Sequence, residues 1–334
     1  MSDKKIPLSL LDLAPITEGS TAKEAFSHSL DLAKLAEKLG YHRYWLAEHH
    51  NMTGIASAAT SVLIGYLAAN TQLLRLGSGG IMLPNHSPLV IAEQFGTLNT
   101  LYPERIDLGI GRAPGSNQQT MQALRRHMST DLDSFPQDIA QIVNWFDATN
   151  PDPAVRPVPG FGEKIPVWLL GSSLYSATLA AKLGLPFAFA SHFAPDLLLQ
   201  ALEVYRTNFQ PSARLAKPYA MVCINIIAAD TQREAEFLFT SMQQAFVMLR
   251  RGQTSQLPPP VENMANIWSP AEEYGVQQAL GMSLVGDKSK VRHGLETILR
   301  QTQADEIMVN GQIFDHQSRL YSFELAMQVM NELI

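Results

Sequence analysis

Residues 104–116 read ERIDLGIGRAPGS. Ile106, Leu108 and Ile110 recur at every second position, the period of a strand. Gly109 and Gly111 remove side chains that would keep a flat or charged group off the backbone. Arg112 stands at the end of the strand, and Pro114-Gly115 turns the chain away. A guanidinium beside exposed backbone N–H groups suits a phosphate. The same residues also fit a tight strand-to-helix turn with Arg112 in a surface ion pair. Recurrence elsewhere in the chain weighs between the two.

The pattern recurs. Apolar strand-like runs are expected at 6–13, 44–46, 74–83, 105–111, 167–170, 187–190, 219–228 and 306–309. Helical patterns separate them. Thr21-x-x-Glu24 is a capping box that opens a helix ending at Gly40, and Pro88 opens another through Leu101. Further helices are expected near 57–70, 117–128, 135–147, 175–183, 196–209, 231–250 and 288–302, and from 317. The strand runs mostly lack strict alternation, as parallel strands covered on both faces do. Eight strands alternating with helices fit a doubly wound sheet or a closed (β/α)8 barrel. The alternation never pauses for a second domain, so a single barrel domain over 1–334 is the expectation. Residues 150–164 read as an irregular loop. Residues 252–282, with Pro258-Pro259-Pro260 and little periodicity, read as a structureless insertion before the last barrel segment and a candidate lid.

Composition narrows the partners. The 334 residues carry 25 basic and 31 acidic side chains, a formal charge of −6, without a basic run. Nucleic acid and anionic membrane surfaces are therefore not expected. The single cysteine, Cys223, suits a reducing compartment and reads as core. Lys4-Lys5 precede an apolar run that Asp12 interrupts, too short and polar for a signal peptide. A cytoplasmic protein that binds a small molecule is the expectation.

Polar or glycine-rich groups follow strand after strand: Glu48-His49-His50, Gly79-Gly80, Gly111-Arg112, Gly171-Ser172-Ser173, Ser191-His192 and Asn310-Gly311. In a barrel all strand C-termini share one face, and active sites are built there. His49 reads either as a loop histidine or as a general acid/base near neutrality. Adjacent His49 and His50 would point to opposite faces of an extended chain, so with Glu48 and His86 they do not read as a metal site. Ser172-Ser173 reads as an ordinary N-cap or, with Ser176 and Arg112, as a phosphate site at a helix N-terminus. Gly109-x-Gly111-x-x-x-Gly115 is not a dinucleotide fingerprint, because Pro114 interrupts the turn and the next strand lies too far on.

The stretches WLAEHH (45–50), LGSGGIMLP (76–84), RIDLGIGR (105–112) and PVWLLGSS (166–173), in that order, resemble the bacterial luciferase-like flavin monooxygenases. The resemblance spans nearly the whole chain. It implies a (β/α)8 barrel, usually dimeric, using reduced FMN from a separate flavin reductase, or the deazaflavin F420. It further implies O2 as co-substrate and oxygen transfer through a flavin C4a-peroxide to a small organic molecule. The alternatives are hydride transfer with F420 or FMN, and flavin binding without turnover. By position, His49 matches the family's catalytic histidine, and Gly79-Gly80 a non-proline cis peptide behind the flavin ring. Gly111 falls where the luciferase α chain has a reactive cysteine. Arg112, with Ser172, Ser173 and Ser176 after Gly171, falls where the family binds the flavin phosphate.

Overall fold

The computed structural model describes residues 6–113, 118–124, 134–147, 149 and 154–333. Pro114-Gly115, Lys4-Lys5 and parts of the expected 117–128 helix and 150–164 loop lie outside these residues. Chain order runs β1 Leu8–Asp12, α1 Ala22–Leu39, β2 Arg43–Leu46, α2 Thr60–Ala68, β3 Arg75–Ser78, β4 Ile81–Met82, α3 Pro88–Leu101 and β5 Ile106–Gly111. It continues with α4 Gln118–Leu124, α5 Phe135–Trp145, β6 Val167–Gly171, α6 Leu174–Leu183, β7 Phe187–Phe189, α7 Leu198–Thr207 and β8 Ala220–Ala228. The last elements are α8 Gln232–Arg250, α9 Pro270–Ala279, β9 Ser283–Gly286, α10 Lys288–Thr302, β10 Glu306–Asn310 and α11 His316–Glu332.

All strand pairings are parallel, and β10 pairs with both β1 and β8. The ring β1-β2-β3-β5-β6-β7-β8-β10 is therefore closed, an eight-stranded barrel with helices around it. The helix signals act as expected. The Thr21–Glu24 capping box is formed in both directions, and Gly40 closes α1 at φ 83°.

Two sequence expectations are corrected. The run at 74–83 is not one strand: β3 pairs with the lower half of β5 and β4 with its upper half, and Gly79-Gly80 separates them. The insertion at 252–282 is not structureless either. It contains α9, opened by its own capping box between Ser269 and Glu272. Met264, Val276 and Leu280 are buried with Met242 and Val247 of α8. Leu257 is bonded through its backbone to Ile16 and Glu18 just beyond β1, so the segment crosses the strand C-termini. β9, which follows it, was not foreseen; it pairs with Asn225 to Ala228, the upper half of β8, outside the ring.

Odd and even positions divide the apolar residues between two cores. One fills the space between strands and helices, with Leu10, Leu76, Ile106 and Val309 facing out of the ring. The other lies inside and includes Leu11, Trp45, Trp168, Met221, Cys223 and Met308. Below it the barrel is plugged by charge. Arg43 donates to Glu306 Oε1 at 2.8 Å and to Asp107 Oδ2 at 2.7 Å, and Arg75 reaches Asp107 Oδ1 at 2.6 Å. Tyr219 and Ser9 hydroxyls donate to Glu306, and the Trp45 indole N–H to Asp107. Burial pushes the Asp107 carboxyl up, but Arg43 and Arg75 beside it hold it below the ordinary carboxylate range.

Removing one partner of a buried ion network strands the others. Arg43→Met leaves the buried Glu306 without its cation and Asp107 with Arg75 alone. It should lower unfolding stability in urea by about 3–5 kcal/mol. A loss below about 1 kcal/mol, the size of an exposed pair, would show that the floor is not held by this cation.

Candidate active site

β5 and β6 are in register up to Gly111 and Leu170, so their ends lie side by side. From the end of β5 the Arg112 guanidinium stacks 4.1 Å from the Tyr175 ring in the first turn of α6. Ser173 is the N-cap of α6 in extended conformation, yet its hydroxyl makes no capping bond. The ordinary N-cap reading is thus not what the structure uses Ser173 for. The first turn keeps donors to offer at the positive end of the helix dipole. Ser176 is buried directly against Gly171: a Cβ there would meet its Oγ at 2.2 Å, so only glycine fits. Gly111, Arg112, Gly171, Ser172, Ser173 and Ser176 are gathered at these two strand ends.

The peptide between Gly79 and Gly80 is cis. A Cβ on Gly79 would lie 2.6 Å from Leu11 Cδ1, and one on Gly80 would lie 2.8 Å from the Gly109 carbonyl oxygen. Ser78 locks this step to β5, its hydroxyl donating to the Gly109 carbonyl at 2.8 Å and accepting from the Gly109 N–H at 3.0 Å. The result is a close-packed backbone step, with Leu11, Trp45 and Leu170 against it, that has no space for a side chain of its own.

The histidines part as their adjacency predicts. Glu48, His49 and His50 lie in the loop after β2. Glu48 is 1% exposed, and its Oε1 lies 2.8 Å from the Nε2 of both His50 and His86, while Oε2 accepts the Met82 N–H at 3.1 Å. Burial pushes the Glu48 carboxyl up, and its bonds to His86, His50 and Met82 hold it below the ordinary value. The carboxylate therefore ties the loop after β2 to the one after β4. The absence of a metal set was argued from His49 and His50 together; the structure groups a different three, whose ligand atoms lie within 4.8 Å of one another. Hydrogen bonds already account for that geometry. His49 turns the other way and is half-buried, close enough to His192 after β7 to oppose its protonation. Burial first, and then His49, lower His192 to about 3, and its enclosed Nδ1 has no hydrogen-bond partner among the described residues.

The family model for luciferase-like monooxygenases matches residues 6–306. The chain belongs to the luciferase-like monooxygenase family. It is 80% identical over all 334 residues, the full length of both chains, to a luciferase-like monooxygenase of Escherichia coli K12. It is 33% identical to the N-acetyl-S-alkylcysteine monooxygenase of Bacillus subtilis, covering 96% of this chain and 97% of that one. The solved structure of apo-MsnO8 superposes with a TM-score of 0.87 at 32% identity, covering 98% of each chain. This luciferase-like chain is thus an oxidoreductase.

Sequence reasoning missed Tyr175, the clamp made by Glu48, and Asn225. Tyr175 carries no local signal. Asn225 was visible as the one carboxamide inside the apolar run AMVCINIIA. Cys223 is buried and its thiol is pushed up by burial, so it stays a core residue.

The half-buried His192, with its Nδ1 enclosed, has a pH consequence. It stays neutral in the fold down to about 3, whereas the unfolded chain protonates it near 6.5. Its contribution to stability is complete above pH 6.5 and drains away as pH falls toward 3. His192→Gln should therefore lose less stability than the wild type between pH 7 and pH 4 in urea unfolding. Equal losses would mean that His192 takes up its proton alike in the folded and unfolded chain.

Proposed function

We propose that this enzyme binds reduced FMN at the barrel mouth and uses it with O2 to oxygenate a small organic molecule. The observation that carries the reading is the Arg112 corner: a guanidinium stacked on Tyr175 beside a helix N-terminus whose N-cap hydroxyl is unspent. That donor set suits one terminal phosphate. Gly79, Gly80 and Gly111 let the backbone pack tightly against Leu11, Gly109 and Met82 beside this corner, and the planar ring would lie along that stretch of main chain. Bound reduced FMN would supply O2 activation at C4a of its ring.

The chain's own groups do the rest. His49 is half-buried and faces a neutral His192, so it is the mouth's candidate proton carrier. Glu48 holds the loop that presents it. The 252–282 segment crosses the mouth and shields it from water, serving as the lid. Leu11, Met308 and Cys223 give the pocket an apolar floor. The Bacillus relative is named for N-acetyl-S-alkylcysteines, and such thioethers are the first substrates to offer. A separate cytoplasmic reductase would regenerate the flavin. Val62 and Tyr66 of α2 and Val90 and Leu101 of α3 are exposed on neighbouring helices, an apolar face that suits a homodimer. A monomer by analytical ultracentrifugation would remove that last part.

Arg112→Ala should weaken FMN binding by about 1.5–3 kcal/mol, a hydrogen bond to a charged group. Isothermal calorimetry with FMN, and with F420 as the rival ligand, reads this directly. An unchanged Kd for FMN, or tighter F420 binding that Arg112→Ala weakens instead, would sink the FMN assignment. In the same samples His49→Ala should leave FMN affinity intact and cut substrate-dependent oxygen uptake by about 100-fold or more. Equal uptake would take His49 out of the mechanism.

A further inference from the structure

Two carboxamides on adjacent strands are each only partly satisfied. Asn225 of β8 and Asn310 of β10 are register partners, so their side chains leave the sheet on the same face, about 4.8 Å apart at the backbone. That face is the barrel interior, because Cys223 and Met308, two residues below them, lie in the inner core. Asn225 is 0% exposed and Asn310 is 1% exposed.

The nitrogen ends are engaged. Asn225 Nδ2 donates to the His192 carbonyl at 2.6 Å and to Ser283 Oγ at 3.0 Å. Asn310 Nδ2 donates to the Leu11 carbonyl at 3.1 Å. The backbone carbonyls accept only, so the orientation of each amide is determined. Both Oδ1 atoms are buried without a hydrogen-bond partner among the described residues. A buried acceptor left without a donor is costly to the fold. The Asn225 bond also ties in His192, whose enclosed Nδ1 is a third unpartnered atom on this side.

The position matters as much as the pairing. β10 stands four strands from β5 in either direction around the ring, diametrically across the mouth from Arg112. The surroundings are uncharged: apolar Leu11, Cys223 and Met308 lie below, and His192 is neutral. Two carbonyl oxygens repel an anion and reward a donor.

We propose that Asn225 and Asn310 form the substrate-recognition subsite of this enzyme, and that it takes a neutral N–H or O–H donor group carried on an apolar body. The carboxamide oxygens accept from the donor head, and the apolar floor receives the chain. This rests on the mouth being the substrate pocket of the proposed reaction.

Calorimetry with four short probes tests it on the protein as purified and after loading with FMN. Hexanamide and 1-hexanol carry donors, methyl hexanoate accepts only, and hexanoate is an anion. The expected result is at least tenfold tighter binding of hexanamide or 1-hexanol than of methyl hexanoate or hexanoate, with hexanamide against 1-hexanol reporting which donor is preferred. Asn310→Leu, which keeps the volume and deletes the acceptor, should abolish the difference while FMN affinity stays unchanged. If Asn310→Leu does not fold, Asn310→Ser, too short to present the same oxygen, takes its place. No preference in the wild type, or a preference that survives both substitutions, overturns the proposal. So does a high-resolution structure with hexanamide in which a fixed water bridges the two oxygens and the probe binds elsewhere. A protein that binds FMN but shows no donor preference fails here alone. One that prefers donors without binding FMN fails only the flavin reading.

Discussion

A guanidinium enclosed in the barrel floor is the constraint from which the rest follows. Arg43 of β2 reaches Asp107 of β5 and Glu306 of β10, and β5 and β10 are opposite strands of the ring. Its bonds therefore cross the barrel rather than run along a sheet. Four groups of alternating charge satisfy one another there, with Tyr219, Ser9 and Trp45 taking the remaining positions. Such a cluster is costly to assemble and costlier to leave incomplete. It gives the closed ring a single arrangement and puts every charged group of the floor out of reach of the mouth.

Above the floor the interior side chains shrink. Trp45 and Trp168 fill the middle, and higher up stand Gly79, Gly111, Ala188, Cys223 and the two asparagines. Three differently equipped sides result. Arg112 and the serines of α6 offer charge and donors, and the glycine step offers close-packed main chain. The β8 and β10 side offers only neutral acceptors. The proposed reaction calls for a flavin, O2 and a substrate to meet in one place, and under that proposal this division would give each organic component its own wall.

Local sequence carried much of this. The capping box at Thr21, Pro88 and the eight apolar runs were enough for the barrel, since each signal acts within a few residues. The Arg112 and Ser173 corner was legible because both follow strands directly. What escaped depends on longer reach. Helix α9 carried a capping box, Ser269-x-x-Glu272, of the same kind as Thr21-x-x-Glu24 of α1, but sat behind three prolines, and its weak amphipathicity hid it. The break of the 74–83 run reflects how closely β3 must approach β5, which no single strand records. The clamp between Glu48 and His86 and the floor joining Arg43 to Glu306 couple residues far apart in sequence. Asn225 looked like a blemish in an apolar strand until its register with Asn310 was known.

The measurement that bears most directly on this account is an anaerobic titration of the protein with photoreduced FMN, followed by mixing with 18O2 and a series of small thioethers, neutral amides and alcohols among them. The account predicts saturable binding of one reduced FMN per chain and one atom of 18O in the oxidised thioether. Saturable binding of F420 with none of reduced FMN would contradict it. So would a bound flavin whose reaction delivers all of its oxygen as hydrogen peroxide across the whole thioether series.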